Sequence, residues 1–283
     1  MLGPFFRTFS FMGQVLGMIR TTPSLLAPFA INMAVAVPLN VVLAILAMLV
    51  ADQAPALGNV FIALGLTALY FVDYFCAGLA TSMVYDQVTT GSAPMGQALS
   101  RTLKSSVGII LMAAISAFFD MLQQWASQQR GFIKQILIGI VRSVWTTAVY
   151  VLMPAMVIEG IGFFAALKRS KQLMENDPTQ VGVGYVAIGF FTWLLSAVLG
   201  AASFAVFNAL MNVNVLVALF AGLTLTNLFW AISNYIRSVY YTCYYLWARE
   251  CEKHNQANPN LAPAPLKAVL GELQGQQQQQ AAW

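Results

Sequence analysis

Four charged side chains fall inside long apolar runs: Asp73, Asp120, Arg142 and Arg237. A charge at mid-helix in hydrocarbon costs ~2.5–3.5 kcal/mol on insertion scales, so such groups turn toward protein, pair with one another, or line a path for ions. Two chemistries are open to them. Asp–Arg pairs would lock helices together, and losing one partner would strand the other. An acid left unpaired near mid-membrane would instead serve proton or ion passage. Rise per residue gives rough depths. Asp120 and Arg142 fall in one half of the bilayer, on consecutive helices. Asp73 and Arg237 fall in the other half. The spacing therefore predicts two pairs, Asp120 with Arg142 and Asp73 with Arg237.

Other reactive chemistry is sparse. The single histidine, His254, lies in a polar stretch near the C-terminus, and Cys76, Cys243 and Cys251 have neither metal-ligand nor redox-motif spacing. No G-x-x-x-x-G-K-S/T phosphate loop occurs. These features predict no enzyme, no cofactor, no metal centre and no nucleic-acid partner.

The elements that position the charges follow from composition. Apolar residues make up 59% of the 283 residues and charged residues 8%. Soluble domains run nearer ~25% charged, so water is not the solvent of this surface. The partner expected first is the lipid bilayer. A spanning helix needs ~20 mostly apolar residues, and six stretches qualify: residues 23–49, 58–85, 106–125, 132–158, 181–210 and 213–247. Thr22 and Pro23 read as the N-cap and first position of the first span, and Pro38 as a kink within it. The connections after the first, third and fifth spans are short. The expected fold is all-α: a polytopic membrane protein of six helices arranged as three hairpins.

Each hairpin follows a stretch with apolar residues near helical spacing and basic residues on the other face. The three are Phe5-Phe6-Arg7-Thr8 leading to Leu16, Ala98-Leu99-Ser100-Arg101-Thr102-Leu103-Lys104, and Ala166-Leu167-Lys168-Arg169-Ser170-Lys171-Gln172-Leu173. Such helices lie in the headgroup plane. The shared Ala-Leu-x-Arg-Ser/Thr of the second and third reads either as a repeated unit or as chance likeness of amphipathic helices.

Basic residues set the orientation. Arg7, Arg20, Arg101, Lys104, Lys168, Arg169, Lys171, Arg249, Lys253 and Lys267 gather on one side, against Arg130 and Lys134 on the other. Both termini are expected in the cytoplasm. Tyr240, Tyr241, Tyr244, Tyr245 and Trp247 read as an aromatic belt at the inner interface. Residues 1–250 form one transmembrane domain. Residues 251–283, with their Pro/Asn/Ala run and glutamine tract, read as a flexible cytoplasmic tail, in which an apolar face starting at Leu266 could dock on a partner.

The segment Val151-Leu152-Met153-Pro154-Ala155-Met156-Val157-Ile158-Glu159-Gly160, followed by Phe164-Ala165-Ala166-Leu167-Lys168-Arg169-Ser170, resembles a motif of an uncharacterised prokaryotic family of six-helix integral membrane proteins. The likeness covers about residues 5 to 248. It implies the six-helix architecture and a place in the prokaryotic cytoplasmic membrane, and no known substrate. The family-like residues Pro154, Glu159, Lys168, Arg169 and Ser170 are implied to set the elbow between the fourth span and the third interfacial helix. The chain is more distantly like the membrane domain of glycerophosphodiesterases. It lacks their catalytic domain, so that activity is not implied.

Short outer loops and absent catalytic motifs favour a non-enzymatic accessory or scaffold subunit, with a membrane-protein partner or a homo-oligomer. The alternative is a transporter or lipid-handling protein using the intramembrane charges.

Overall fold

The computed structural model describes residues 3–50, 55–128, 132–176, 189, 197–254 and 258–267. These residues are almost wholly helical. The elements are α1 (Gly3–Thr21), a 3-10 turn (Pro23–Leu26), α2 (Ala27–Val50), α3 (Pro55–Thr90), α4 (Met95–Lys104), α5 (Ser106–Gln128), α6 (Phe132–Glu159), α7 (Phe163–Asn176), α8 (Ala197–Met211) and α9 (Val215–His254), then a 3-10 turn (Pro259–Leu261). Five described helices are long and apolar enough to cross a membrane: α2, α3, α5, α6 and α9. The short apolar α8 is the described end of the expected fifth span, and half of residues 181–210 lies outside the described residues. A spanning backbone has no water to bond, so helices that close every N–H and C=O internally are the form such apolar runs take in lipid.

Helix α3 is the axis of the bundle, packing against α2, α5, α6 and α9. At 36 residues it extends ~54 Å, and α9 at 40 residues extends ~60 Å, against ~30 Å of hydrocarbon. Both therefore run on past the apolar layer. Two buried clusters flank α3. One joins α1, α3 and α9 through Phe11, Met83, Val239 and Trp247. The other joins α3, α5, α6 and α7 through Ile109, Met112, Met156 and Leu173.

The turns use one device twice. Gly91 (φ 74°) follows α3 and Gly160 (φ 68°) follows α6. A left-handed residue after a helix C-terminus reverses the chain, and glycine takes it without steric cost. Each glycine leads within a few residues into a short helix, α4 or α7.

Several local expectations change in the structure. Thr22 precedes the 3-10 turn, but its side chain makes no cap bond. Pro38 sits inside α2 and Pro154 inside the last turns of α6, which ends at Glu159, one residue past the expected end of that span. Proline removes one backbone bond, and neighbouring helices in a bundle absorb that loss. The tyrosines and tryptophan of α9 do not form an interfacial belt. Tyr240, Tyr241, Tyr244, Tyr245 and Trp247 are all buried in protein. Phe11 of α1 meets Tyr240 edge-on at 5.6 Å, and Tyr150 of α6 stacks on Tyr241 at 5.7 Å.

Part of the C-terminal region packs on the bundle. Residues 251–254 continue α9. Ala262 and Leu266 are buried in the cluster around Trp247, whose Nε1 donates to the Asn258 carbonyl at 3.0 Å. Leu266, the first residue of the expected apolar face, thus packs on this chain's own helices, and the rest of that face lies outside the described residues.

Candidate functional site

The intramembrane charges fall into two polar networks on either side of α3. The first joins α3, α5 and α6. Arg142 forms an ion pair with Asp120, and Tyr70 donates its hydroxyl to the other oxygen of the same carboxylate. Arg142 Nη1 also donates to Gln123 Oε1 at 2.5 Å. One turn along α3, Tyr74 shares a 2.7 Å hydrogen bond with Ser116, whose oxygen also accepts from Trp145 Nε1 at 2.8 Å. The predicted Asp120–Arg142 pair is formed, because a short reversal between α5 and α6 brings the two to one level.

The second network joins α2, α3, α6 and α9, and here the sequence expectation is corrected. Asp73 does not pair with Arg237. Its Oδ1 accepts from Asn32 Nδ2 at 2.8 Å and its Oδ2 from Trp230 Nε1 at 2.6 Å. The Arg237 guanidinium instead lies over the Tyr150 ring, 5.6 Å from its centroid, and Tyr150 donates to Asn234 Oδ1 at 2.5 Å. Seven residues separate Trp230 from Arg237 on α9. The α2–α3–α9 packing sets Trp230, rather than Arg237, at the level of Asp73. Asn40 Nδ2 on α2 donates to Asn227 Oδ1 on α9 at 2.8 Å, a further tie between the same helices.

Asn227 and Asn234 thus bond between helices, whereas Thr146 bonds the Arg142 carbonyl of its own helix. The amides of α2 were missed. Asn32 and Asn40 break an otherwise apolar run, and that interruption was the signal available in the sequence.

A third cluster lies at the end of the bundle where α6, α7 and the C-terminal part of α9 meet. The family-like residues converge here. Glu159, at the end of α6, accepts the Tyr245 hydroxyl and stands 3.5 Å from Arg169 Nε. Arg169 grips Glu252 of α9 through both terminal nitrogens, at 2.8 and 2.5 Å. The hydrogen bonds that Arg169 donates to Glu252, with both carboxylates nearby, push its pKa above the ordinary value, so the side chain stays charged at any working pH. Ser170 donates to the Val151 carbonyl at 3.2 Å, within the turn that Pro154 interrupts. Pro154 is buried, and Lys168 is exposed. The elbow is therefore tied to α9 as well as to α6. Sequence reasoning also missed Asp86, which is buried at the end of α3 and accepts from Arg101 Nη1 of α4 at 2.7 Å. An acid closing an apolar run and the first base of the next helix were its signal.

Arg169→Ala should loosen α7 from α9 at a cost of about 1 kcal/mol, the upper range for a solvent-facing ion pair. Amide exchange in residues 163–176 would rise first, and an unchanged exchange profile would contradict the tie.

Among the described residues no group of three or more His, Cys, Asp or Glu side chains gathers as a metal site would require. Long apolar helices tied through buried polar side chains define an all-helical membrane protein. The chain belongs to the DUF6159 family, a family of unknown function, which matches residues 56–254. No curated protein and no solved structure matches it. The likeness to the membrane domain of glycerophosphodiesterases draws no support from these matches.

Proposed function

We propose that the chain is a non-enzymatic integral membrane protein acting as an accessory or scaffold subunit of a larger membrane complex. One observation carries this reading. The polar side chains of the described spans are mostly engaged in bonds between helices: Asp120 with Arg142 and Tyr70, Asp73 with Asn32 and Trp230, and Asn40 with Asn227. Groups engaged in this way fix a bundle in one arrangement. They do not converge on a chamber for a sizeable substrate. Such a bundle offers a partner a rigid apolar flank and a built end.

The topology belongs to the same proposal. Six spans form three hairpins, each preceded by a helix lying in the headgroup plane. Placement at one end of the bundle supports this: Phe11 of α1, Arg101 of α4 and Arg169 of α7 all reach residues at the ends of α3 or α9. Leu99, Leu103, Phe164 and Leu167 remain exposed on α4 and α7, beside Lys104 and Lys168, as helices half-sunk in lipid require. That end faces the cytoplasm of a prokaryotic cell, with both termini inside.

Gentle extraction from the native membrane followed by native mass spectrometry tests the reading. A second membrane protein in fixed ratio, or a defined homo-oligomer, is the expected result. A lone monomer carrying one specific lipid or small molecule would overturn it. That outcome would favour the second reading, transport or lipid handling, for which Asp73 speaks because no basic side chain among the described residues pairs with it.

A further inference from the structure

Between α2, α3 and α9 lies a cavity of about 20 Å³, room for one water-sized occupant. Asp73, Asn32, Cys76 and Asn234 line it, with Pro28 and Tyr235 at its wall. Asp73 is 8% exposed and Asn32 4%. We propose that this cavity binds a single small monovalent cation of the size of Na⁺, held by the Asp73 carboxylate and the Asn32 side-chain carbonyl.

The argument starts from charge. Among the described residues Asp73 forms no ion pair, and its two bonds come from the neutral donors Asn32 and Trp230. Both of its oxygens accept, which suits an ionised carboxylate. A lone negative charge in hydrocarbon is costly and calls for a counter-charge. The nearest described arginine on α9, Arg237, is engaged over Tyr150 on the other side of Asn234. The second observation is independent of the first. Asn32 Oδ1 is buried and accepts no hydrogen bond, although its own Nδ2 is fixed on Asp73. An orphaned buried carbonyl costs about 1–3 kcal/mol, and a cation beside Asp73 would satisfy it.

Chemistry then selects the ligand. Carboxylate and amide oxygens suit a hard cation. One carboxylate supplies one charge, so a divalent ion would leave net charge in the membrane. Na⁺, the smaller of the common monovalent cations, sits closer to the carboxylate and amide oxygens than K⁺ does and is held more strongly by them. The Asn234 side chain, which also lines the space, would add to the shell. The site does not depend on the scaffold reading, since a partner can be found or absent without bearing on it.

The test uses the full chain in nanodiscs, with NaCl, KCl or choline chloride at equal ionic strength. The unfolding midpoint should rise with Na⁺ concentration, by on the order of 5 °C at a hundredfold excess over Kd. KCl should shift it less, and choline chloride not at all. Asp73→Asn and Asn32→Ala should each abolish the Na⁺ response. Should Asp73→Asn fail to fold, Asn32→Ala, which keeps the Trp230 bond, decides the matter together with the salt series on the unaltered chain. Equal midpoints in all three salts would overturn the proposal. So would a Na⁺ response that survives Asn32→Ala, or a midpoint that follows pH alone, the mark of a protonated Asp73.

Discussion

Arg142→Leu is expected to destabilise the bundle by about 3–5 kcal/mol, because it leaves Asp120 charged and facing apolar surroundings with only the Tyr70 hydroxyl to hold it. The Arg142 side chain is 38% exposed and that of Asp120 is 18%. In a soluble protein such exposure would mean screening by water and salt. Here the exposed flank belongs to a span, so the surroundings are hydrocarbon and the pair is felt nearly in full. Adding Asp120→Asn to Arg142→Leu removes both charges and should recover most of the loss, since a buried ion pair replaced as a whole is often close to neutral. Expression yield and unfolding midpoint in detergent report the effect. A double variant no better than Arg142→Leu alone would mean that the pair does more than join α5 to α6.

Trp247→Ala should cost a similar ~3–5 kcal/mol, the usual range for emptying a large aromatic from a core. Trp247 is fully buried between α9 and the folded-back residues 258–267. Its loss removes the wall against which Leu266 packs and also the bond to the Asn258 carbonyl. Protease cleavage within residues 258–267 should therefore accelerate together with the fall in midpoint. Trp247→Phe keeps most of the packing and loses only the N–H, so about 1 kcal/mol is expected. Equal damage from both variants would point to the hydrogen bond, rather than the packing, as what holds the segment down.

The sequence made the spans legible because lipid imposes a long apolar run wherever a helix crosses. Asp120 and Arg142 could be paired because a short turn fixes the relative height of α5 and α6. The partner of Asp73 could not be found in the same way. It depends on how α9 slides and rotates against α2 and α3, and no short loop sets that register. Depth alone nominated Arg237, whereas the packing chose Trp230. The elbow residues were found through likeness to a family. Their tie to Glu252 spans 83 residues and follows from no local rule. The aromatic run of α9 misled for a related reason. A belt and a buried core have the same composition, and only the positions of α1, α6 and the C-terminal segment separate them.

The order of synthesis gives one structural feature a further meaning. Helices α2 and α3 leave the ribosome early, and the Asn32–Asp73 bond can close as soon as both are in the membrane. Trp230, Asn227 and Asn234 all belong to α9, which emerges after the other described spans. Until it arrives, the second oxygen of Asp73, the amide of Asn40 and the hydroxyl of Tyr150 wait without these partners. A chain cut short before α9 thus leaves three polar groups in the bilayer without the partners that α9 supplies.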